Sequence, residues 1–397
     1  MNPILRRATL DDLPALCAAD GRAFGFHYSQ QDIDDFRPMF DPERFVLACD
    51  PDGAIVGVTG SFDMTVALPG GTSVPALGVT WVSVAVTHQG RGILRSLMTE
   101  QHRSFVADGA SLSMLTASQS GIYGRFGYGQ ATRKVAVEID RRLVRFRAGV
   151  PDPGGVRVAD VDDVRKHAPE IYRRWSVLTP GAVLRTDAWW EFLLADREQH
   201  RGGASGLFHL LHRDGYASYR IVDGDAGQRC RVEVFAATDE AYIALWRVLL
   251  GLKLVDTITS RTGTLDEPLP FLLEEPRLVT TTGLADGLWV RVLDVAAALA
   301  ARTYAVEIDA VIEVRDGFLD RGGRFRLRGG PEGGTCERTT DTADVSLDIA
   351  ELGSVLLGSV RAAPLVRAGL LQAEPAALAR IDAAFTGPRE ARLGTGF

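Results

Sequence analysis

The fold is decided by the stretch Val82-Ser83-Val84-Ala85-Val86-Thr87-His88-Gln89-Gly90-Arg91-Gly92-Ile93-Leu94. Its first half alternates valines with smaller or polar residues, which is typical of a β-strand. Its second half opens a run in which apolar residues recur at helical spacing, at Ile93, Leu94, Leu97, Met98 and Phe105. The stretch therefore predicts a strand that passes through a polar, glycine-containing turn directly into a helix.

The turn itself, Gln89-Gly90-Arg91-Gly92, predicts a phosphate-binding site. Its glycines allow successive backbone N–H groups to point at one spot, and the N-terminus of the following helix adds partial positive charge. The turn is not a P-loop, because no Lys-Ser or Lys-Thr pair follows at the required spacing. It is not a dinucleotide-binding fingerprint either, since Arg95 stands where the last glycine of that motif belongs.

A second informative segment is Leu115-Thr116-Ala117-Ser118-Gln119-Ser120-Gly121-Ile122-Tyr123-Gly124-Arg125-Phe126-Gly127-Tyr128-Gly129. Its pattern predicts a short apolar strand that ends at Ser118 and a tight helical turn that carries Tyr123. The Phe-Gly-Tyr sequence then leads back into a strand whose apolar positions are Val135, Val137 and Ile139. We expect this last strand to complete a first domain with the order β-α-α-β-β-β-α-β-α-β.

Both segments resemble one known superfamily. The run from Gln89 to Leu94 is similar to the Gln-x-x-Gly-x-small motif with which GCN5-related N-acetyltransferases (GNATs) hold the pyrophosphate of acetyl-CoA, although Leu94 replaces the usual Gly or Ala. Together with Tyr123 before a Gly-Tyr pair and the terminal Gly394-Thr395-Gly396-Phe397, the chain resembles the Eis family of multi-acetylating aminoglycoside and lysine N-acetyltransferases. The resemblance covers essentially the whole chain.

The resemblance implies an α/β (α+β) fold of tandem GNAT-like domains followed by a sterol-carrier-protein-like domain. We expect the acetyl-CoA-binding catalytic domain at residues 1–145, a degenerate GNAT-like domain at 146–285 and the last domain at 286–397. The second domain is interpreted as degenerate because Thr238-Asp239-Glu240 replaces the phosphate loop. The acidic pair there would repel a pyrophosphate.

The resemblance also implies that acetyl-CoA binds where two central strands of the first domain separate. The cofactor-binding residues we expect come from the strand, the loop with its helix, and the end of the next strand. They are Val82, Ser83, Val84, Gln89, Gly90, Arg91, Gly92, Ile93, Leu94, Arg95, Ser118 and Gln119.

Two catalytic groups are implied. In the family that the chain resembles, the tyrosine at this position faces the cofactor sulfur, so Tyr123 is the candidate general acid. The terminal carboxylate of Phe397 is the candidate general base. Packing of Tyr123 on the cofactor channel remains an alternative for that residue, and an inert, frayed terminus remains one for Phe397. His88 precedes the loop and is the alternative side-chain base.

The acceptor implied by the family is a cationic amine such as an aminoglycoside or a polyamine, in a pocket with acidic and aromatic walls. Phe24, Phe26 and Trp81 are the candidate substrate-binding aromatics, with Asp20, Asp34 and Asp35 as acidic candidates. Gly396 stands where an acidic residue is expected, which weakens that lining. Two alternatives stay open: a protein-lysine or small-amine acetyltransferase, and a non-catalytic acyl-CoA- or lipid-binding regulator. The family further implies a homohexamer.

Composition limits the remaining classes. The 397 residues are 46% hydrophobic and 24% charged, as in ordinary globular proteins, and the formal charge of −7 argues against nucleic acid as a partner. The four cysteines form no C-x-x-C pair, and His209 and His212 lack companion ligands, so neither disulfides nor a metal are expected. Because the sequence shows no apolar leader and no long apolar run, we expect a cytoplasmic protein without membrane insertion.

Overall fold

Three β-sheets organise the computed structural model, which describes residues 3–224 and 227–397. The strands are β1 (Ile4–Arg7), β2 (Val46–Cys49), β3 (Ile55–Ala67), β4 (Ser73–Val84), β5 (Leu112–Thr116), β6 (Gly129–Gln130), β7 (Arg133–Asp140), β8 (Arg157–Ala159), β9 (Phe208–His212), β10 (Gly215–Gly224), β11 (Gly227–Ala236), β12 (Val255–Gly263), β13 (Val279–Asp286), β14 (Leu288–Val292), β15 (Ile308–Arg315), β16 (Gly323–Gly330), β17 (Gly333–Arg338), β18 (Val345–Asp348) and β19 (Leu371–Ala373). The helices are α1 (Leu13–Phe24), α2 (Gln30–Phe36), α3 (Ile93–Ala107), α4 (Val161–Val177), α5 (Asp187–Leu194), α6 (Asp239–Leu250), α7 (Leu269–Leu272), α8 (Val295–Ala300), α9 (Ile349–Val355), α10 (Ala362–Arg367) and α11 (Pro375–Phe385).

The first sheet has the order β1-β2-β3-β4-β5-β14-β6, and only its β4–β5 pair is parallel. Helices cover both of its faces. On β2, Val46 and Ala48 pack with Ile93 of α3, whereas Leu47 packs with Leu16 of α1. Because successive strand residues point to opposite faces, α1 and α3 lie on opposite sides of the sheet.

The second sheet has the order β13-β7-β12-β11-β10-β9-β8 and repeats this plan. Its parallel pair is β11–β12. Leu245 of α6 packs with Val232 of β11 on one face, and Tyr172 of α4 packs with Phe235 of β11 on the other. The predicted tandem architecture is therefore confirmed at the level of the two sheets.

The two sheets exchange a strand, which corrects one prediction. The strand that carries Val135, Val137 and Ile139, β7, lies in the second sheet between β12 and β13. The last strand before the third sheet, β14, lies in the first sheet between β5 and β6. The sheets thus cross the predicted boundaries at 145 and 285. The prediction failed because an alternating strand pattern specifies a half-buried strand but not the sheet it joins.

The third sheet has the order β17-β16-β15-β18-β19. Helices α8, α9 and α11 pack against it around a core that includes Ile312, Leu327 and Leu347. Strand β17 lies in a glycine-rich segment and pairs with β16. Among the described residues, no helix is long and apolar enough to cross a membrane, and no His, Cys, Asp and Glu group suited to a metal ion is found.

Candidate active site

The central strands of the first sheet separate at one point. Strands β4 and β5 pair only from Leu77–Ser113 to Val79–Leu115, while β4 continues to Val84. A β-bulge against β3 lies just beyond, because Val58 faces Ser83 whereas Gly60 faces Thr80. Trp81 sits in the bulge with a φ of +53°, which is unusual for a residue other than glycine. The bulge redirects β4, and a cleft opens beside β5.

The cleft holds a cavity of about 600 Å³. Every predicted cofactor-binding residue lines it except Arg91, whose side chain is exposed on the turn. Tyr123 also lines the cavity, and so does Phe24, which we had expected in the acceptor pocket. A volume of this size is typical of small-molecule and cofactor pockets.

The glycine loop before α3 forms one end of the cavity. Gly90 and Gly92 adopt φ values of +75° and +80°, and Gly92 is the N-cap of α3 without a side-chain hydrogen bond to the helix. The first-turn N–H groups of α3 are thus available to an anion. In the second domain, Thr238 caps α6 by accepting a hydrogen bond from the Ala241 N–H, and acidic residues occupy the first turn. That helix offers no comparable anion site.

Leu94, the departure from the superfamily motif, does not block the cavity. Its side chain is half-buried and packs against the apolar cluster that contains Val79, Met98 and Tyr123. The position of Leu94 at the cavity wall therefore leaves the loop glycines accessible.

A buried hydrogen-bond network that the sequence did not indicate lies beside Tyr123. The His102 Nδ1–H donates to the Met98 carbonyl over 2.7 Å, so Nε2 accepts from the Tyr128 hydroxyl over 2.8 Å. The Tyr128 oxygen also lies 2.7 Å from the Ser113 hydroxyl on β5. The Tyr123 and Tyr128 rings meet edge to face. The network therefore ties Tyr128, which follows the turn of Tyr123, to α3 and β5.

Burial sets the protonation states in this network. It raises the pKa of Tyr123 to about 12, so the phenol keeps its proton at neutral pH. Burial, with a contribution from the nearby Arg291 charge, lowers the pKa of His102 to about 3. His102 is therefore neutral and serves as a structural hydrogen-bonding group rather than as a base. In the sequence, His102 is only a histidine on the apolar face of a helix, so its hydrogen-bond partners could not be predicted.

Phe397 reaches the first sheet where β4 and β5 separate. The Thr116 hydroxyl at the end of β5 donates to a terminal carboxylate oxygen of Phe397 over 3.4 Å. The Phe397 ring packs against Met64 and against Gly78, where an added Cβ would lie 3.0 Å from the ring. Thr116 is two residues from Ser118, which lines the cofactor cavity. The chain end is thus anchored at the candidate active site, as the resemblance implies.

The predicted substrate aromatics take different positions. Trp81 stacks on Phe36 and Tyr28 with ring-centroid distances of 4.6 and 5.3 Å, and Phe26 contacts Tyr28 at the exposed edge of this wall. Phe24 instead lines the cofactor cavity. The wall continues on the other side from Phe36 through Phe62 to Trp189 of the second domain. Trp81 and Phe26 therefore share one surface, which Phe24 does not.

The three acidic residues predicted for the substrate pocket each interact with another side chain. Asp35 forms a two-bond ion pair with Arg197 at 2.7 Å, and Asp34 accepts a hydrogen bond from Gln30. Asp20 is buried and accepts a hydrogen bond from the Tyr28 hydroxyl. A second cavity of about 450 Å³ lies between the first two domains, and the residues that line it include Asp41, Asp63, Met64 and Trp189. Asp41 and Asp63 were not predicted as site residues, because they approach Trp189 only in the folded chain.

Comparisons with known proteins agree with this architecture. The acetyltransferase (GNAT) domain family matches at residues 5–131 and 181–292, and the sterol carrier protein domain family at residues 295–392. N-acetyltransferase Eis of Mycobacterium bovis is 38% identical over 396 residues, which span 97% of each chain. The chain belongs to the Eis family of N-acetyltransferases. It is thus an acetyl-CoA-dependent N-acetyltransferase, as predicted.

Other Eis-family and GNAT relatives extend the match. An uncharacterized N-acetyltransferase of Streptomyces coelicolor is 39% identical over 365 residues, 88% of each chain. The structure of Eis1 from Mycobacterium abscessus superposes with a TM-score of 0.89 at 33% identity, over 99% of this chain and all of that one. A GCN5-related N-acetyltransferase from Anabaena variabilis shares the fold, with a TM-score of 0.86 at 20% identity over 99% of this chain and 100% of that one.

Proposed function

We propose that this Eis-family enzyme acetylates primary amines of cationic substrates such as aminoglycosides and polyamines, at more than one amine where the acceptor carries several. Tyr123 acts as the general acid, and the terminal carboxylate of Phe397 acts as the general base. The observation that carries the proposal is the position of this carboxylate, which Thr116 holds where β4 and β5 separate. Thr116 is two residues from Ser118, which lines the cofactor cavity, and the Phe397 ring lies beside Gly78 together with Met64, which lines the cavity between the domains.

The residues that line the cavity suit each end of acetyl-CoA. In the proposed binding mode, the pyrophosphate binds at the N–H groups of the two loop glycines and the start of α3, and the sulfur lies near Tyr123. These residues all line the cavity. The backbone of β4 beyond Val79 has no β5 partner. Its N–H groups near Val82 and Val84 are therefore our candidates for stabilising the thioester oxygen as negative charge develops on it.

The reaction follows from these positions. The Phe397 carboxylate accepts a proton from the substrate ammonium group, and the neutral amine attacks the thioester carbonyl carbon. The new C–N bond forms as the C–S bond breaks, and the departing sulfur takes the phenolic proton of Tyr123. The acetylated nitrogen then loses its second proton, which restores the Tyr123 phenol, and the proton held by the Phe397 carboxylate leaves to solvent, so that the products are the neutral amide and the CoA thiol. Tyr123 holds its phenolic proton before the reaction because burial raises its pKa. The same desolvated surroundings also raise the pKa of the departing thiol, which favours the transfer.

The acceptor is proposed to enter through the second cavity. Met64, which packs on the Phe397 ring, and Trp189 both line it. Asp41 and Asp63 line this cavity together with Arg44 and Arg185, and Asp63 pairs with Arg44 at 2.9 Å. Asp41 is therefore the carboxylate that we propose for a substrate ammonium group. The aromatic walls, with Phe62 against Trp189, suit sugar rings or alkyl chains between the amines.

The test is to add three residues after Phe397 and to delete Phe397 in a separate variant. The extension should abolish turnover without weakening acetyl-CoA binding, because it moves the carboxylate away from Thr116 and places the added peptide in the proposed acceptor space. The deletion should also impair turnover, since Gly396 would supply a carboxylate without the aromatic anchor. Thiol release with a polyamine measures both variants, and the same three residues at the N-terminus serve as the control. Near-normal turnover of the extended enzyme would disprove the base assignment.

The acceptor class is tested separately. Thiol release with an aminoglycoside, a polyamine and a lysine-containing peptide should favour the first two. A preference for the peptide would instead assign protein-lysine acetylation, and no release with any amine would leave an acyl-CoA- or lipid-binding role. Self-association is also part of the proposal: light scattering should report a hexamer, six times the 42.9 kDa chain.

A further inference from the structure

The second sheet repeats the strand separation of the first. Strands β11 and β12 pair in parallel from Gln228–Val255 to Arg231–Thr259. Beyond that point β11 continues to Ala236 and β12 continues to Gly263, without pairing to each other. In the first sheet, the corresponding separation of β4 and β5 opens the cofactor cavity. The separation in the second sheet therefore needs another occupant.

The occupant is the C-terminal tail of the same chain. Arg392 reaches into the separation, and its Nη2 donates to the Val234 carbonyl of β11 over 3.2 Å and to the Thr262 hydroxyl of β12 over 3.1 Å. One guanidinium group thus bridges the two separated strands. The Cζ atom of Arg392 also lies 5.3 Å from the Trp175 ring centroid and 5.1 Å from the Phe235 ring centroid.

The next residues of the tail are fixed as closely. The Arg185 Nη2 donates to the Gly394 carbonyl over 2.7 Å, and the Trp189 Nε1 donates to the Thr395 hydroxyl over 3.0 Å. An added Cβ at Gly394 would lie 2.5 Å from the Trp175 ring, so a side chain does not fit there. Arg185 in turn stacks on Tyr172, 4.1 Å from its ring centroid. The tail is thus held by the aromatic face of the second domain up to two residues before Phe397.

The tail divides the space at the separated strands. The cavity that touches the tail residues 392–396 measures about 80 Å³, and a neighbouring cavity lined by Arg231, Glu233 and Thr262 measures about 330 Å³, against about 600 Å³ in the first domain. The tail thus occupies the position that corresponds to the cofactor cleft of the first sheet. The absence of a phosphate loop before α6 is consistent with this occupancy, because the cleft binds peptide rather than an anion.

We infer that the separated strands β11 and β12 form a holder for the C-terminal tail, and that Arg392 and Arg185 are positioning residues for the Phe397 carboxylate. The inference rests on the proposed role of that carboxylate as the base. The second GNAT domain has thereby exchanged cofactor binding for the placement of a catalytic group of the first domain.

The experiment compares Arg392→Ala with Arg392→Lys and uses Arg389→Ala as the matched control. Arg389 is three residues earlier in the same tail and makes only an exposed 3.9 Å ion pair with Asp239. The first readout is the rate at which carboxypeptidase A releases Phe397, which reports how often the tail leaves its holder. Arg392→Ala should release Phe397 about tenfold faster or more. Arg392→Lys should be intermediate, since an ammonium group lacks the two-sided reach of a guanidinium, and Arg389→Ala should match the native enzyme.

The second readout is turnover with a saturating polyamine. For Arg392→Ala, kcat should fall roughly tenfold to a hundredfold, because small misplacements of a catalytic group are costly. The KM for acetyl-CoA should stay within about twofold, since the cofactor site is in the other sheet. Thr262→Val removes one acceptor of Arg392 and should change both readouts in the same direction. The Thr262→Val variant replaces Arg392→Ala in both experiments if Arg392→Ala does not fold.

Each outcome discriminates. An unchanged rate of Phe397 release in both Arg392→Ala and Thr262→Val would disprove the inference that β11 and β12 hold the tail. Faster release with unchanged kcat would overturn the positioning role. If the C-terminally extended enzyme kept its activity, the base assignment would fail, and with it the positioning role, while the release rates would still decide whether the second domain holds the tail.

Discussion

Asp20 is a carboxylate that lies almost wholly out of contact with water. Its side chain on α1 has one oxygen 3.0 Å from the Tyr28 hydroxyl, and its other oxygen has no hydrogen-bond partner among the described residues. Burial raises its pKa to about 6, although the hydrogen bond from Tyr28 acts in the opposite direction. The ionised form of Asp20 therefore lowers stability at neutral pH.

Replacing Asp20 with Asn is expected to stabilise the protein at neutral pH. Stability is highest while the native carboxylate is protonated and falls as the pH rises from about 4 to 6, because the native state binds the proton more tightly than the unfolded chain. A shift of about two pKa units corresponds to about 3 kcal/mol. Urea unfolding should show a gain of that order at pH 7.5 and little gain at pH 4. Asp34→Asn, on an exposed position of α2, is the control, and an equal gain at both pH values would contradict the argument.

Replacing Tyr123 with Phe tests the other end of the reaction. The change keeps the buried ring and removes only the proton donor, so acetyl-CoA binding should survive. General acid catalysis typically contributes about 10²- to 10⁴-fold, and kcat should fall by an amount in that range. Tyr219→Phe, in the second sheet, controls for the loss of a phenol elsewhere. A loss of less than about threefold would assign Tyr123 to packing on the channel.

At the scale of elements, we propose that acetyl-CoA binds at the N-terminus of α3. Gly92→Glu should reduce its affinity at least about tenfold by placing an anion among N–H groups that face the pyrophosphate. Gly92→Ala separates charge from backbone strain, because both variants must adopt a φ of +80° but only one adds charge. No atom lies within 4 Å of an added Cβ there, so Ala brings no clash. Calorimetry should find a much smaller loss for Ala, and equal losses would mean that strain, not charge, governs the loop.

Elements defined by local chemistry could be predicted from the sequence. Gly90 and Gly92 mark the loop because few other residues adopt positive φ there, and the caps of α3 and α6 differ in adjacent residues. The strand exchange could not be predicted, since β7 has the same alternating pattern whichever sheet it joins. The environment of Asp20 was also hidden. Its burial depends on β4 and Tyr28, not on its neighbours in α1.

At the scale of the whole molecule, the candidate site draws on all three sequence regions. Thr116 and Phe397 meet although 281 residues separate them. Arg291 of β14 donates to the Phe126 carbonyl, next to the turn of Tyr123, and pairs with Asp316 beyond β15 in a fully buried ion pair of 2.8 Å. A buried pair of this kind fixes geometry more than it adds stability. Only the resemblance suggested the contact of the tail, and no local pattern indicated the role of Arg291.

The strand exchange predicts that the first GNAT unit does not fold from its own contiguous sequence. A fragment of residues 1–132 lacks β14, which lies between β5 and β6 and pairs with both. Without it, β5 becomes an exposed, apolar edge that includes Met114 and Leu115, and such edges aggregate. The turn of Tyr123 also loses its hydrogen bond from Arg291. We therefore expect fragment 1–132 to aggregate or to lack a cooperative thermal transition by circular dichroism.

The matched fragment appends residues 286–294 to the same 1–132 through a flexible linker. It restores β14 and Arg291 without the second or third sheet, so it should melt cooperatively and bind acetyl-CoA. It should not catalyse acetyl transfer at the native rate, because it lacks Phe397. A scrambled 286–294 segment on the same linker controls for added length. Cooperative folding of fragment 1–132 alone would show that the exchanged strand is dispensable. Failure of the fragment carrying β14 would mean that the first sheet also needs the helices of the third domain that pack on β14, such as α9.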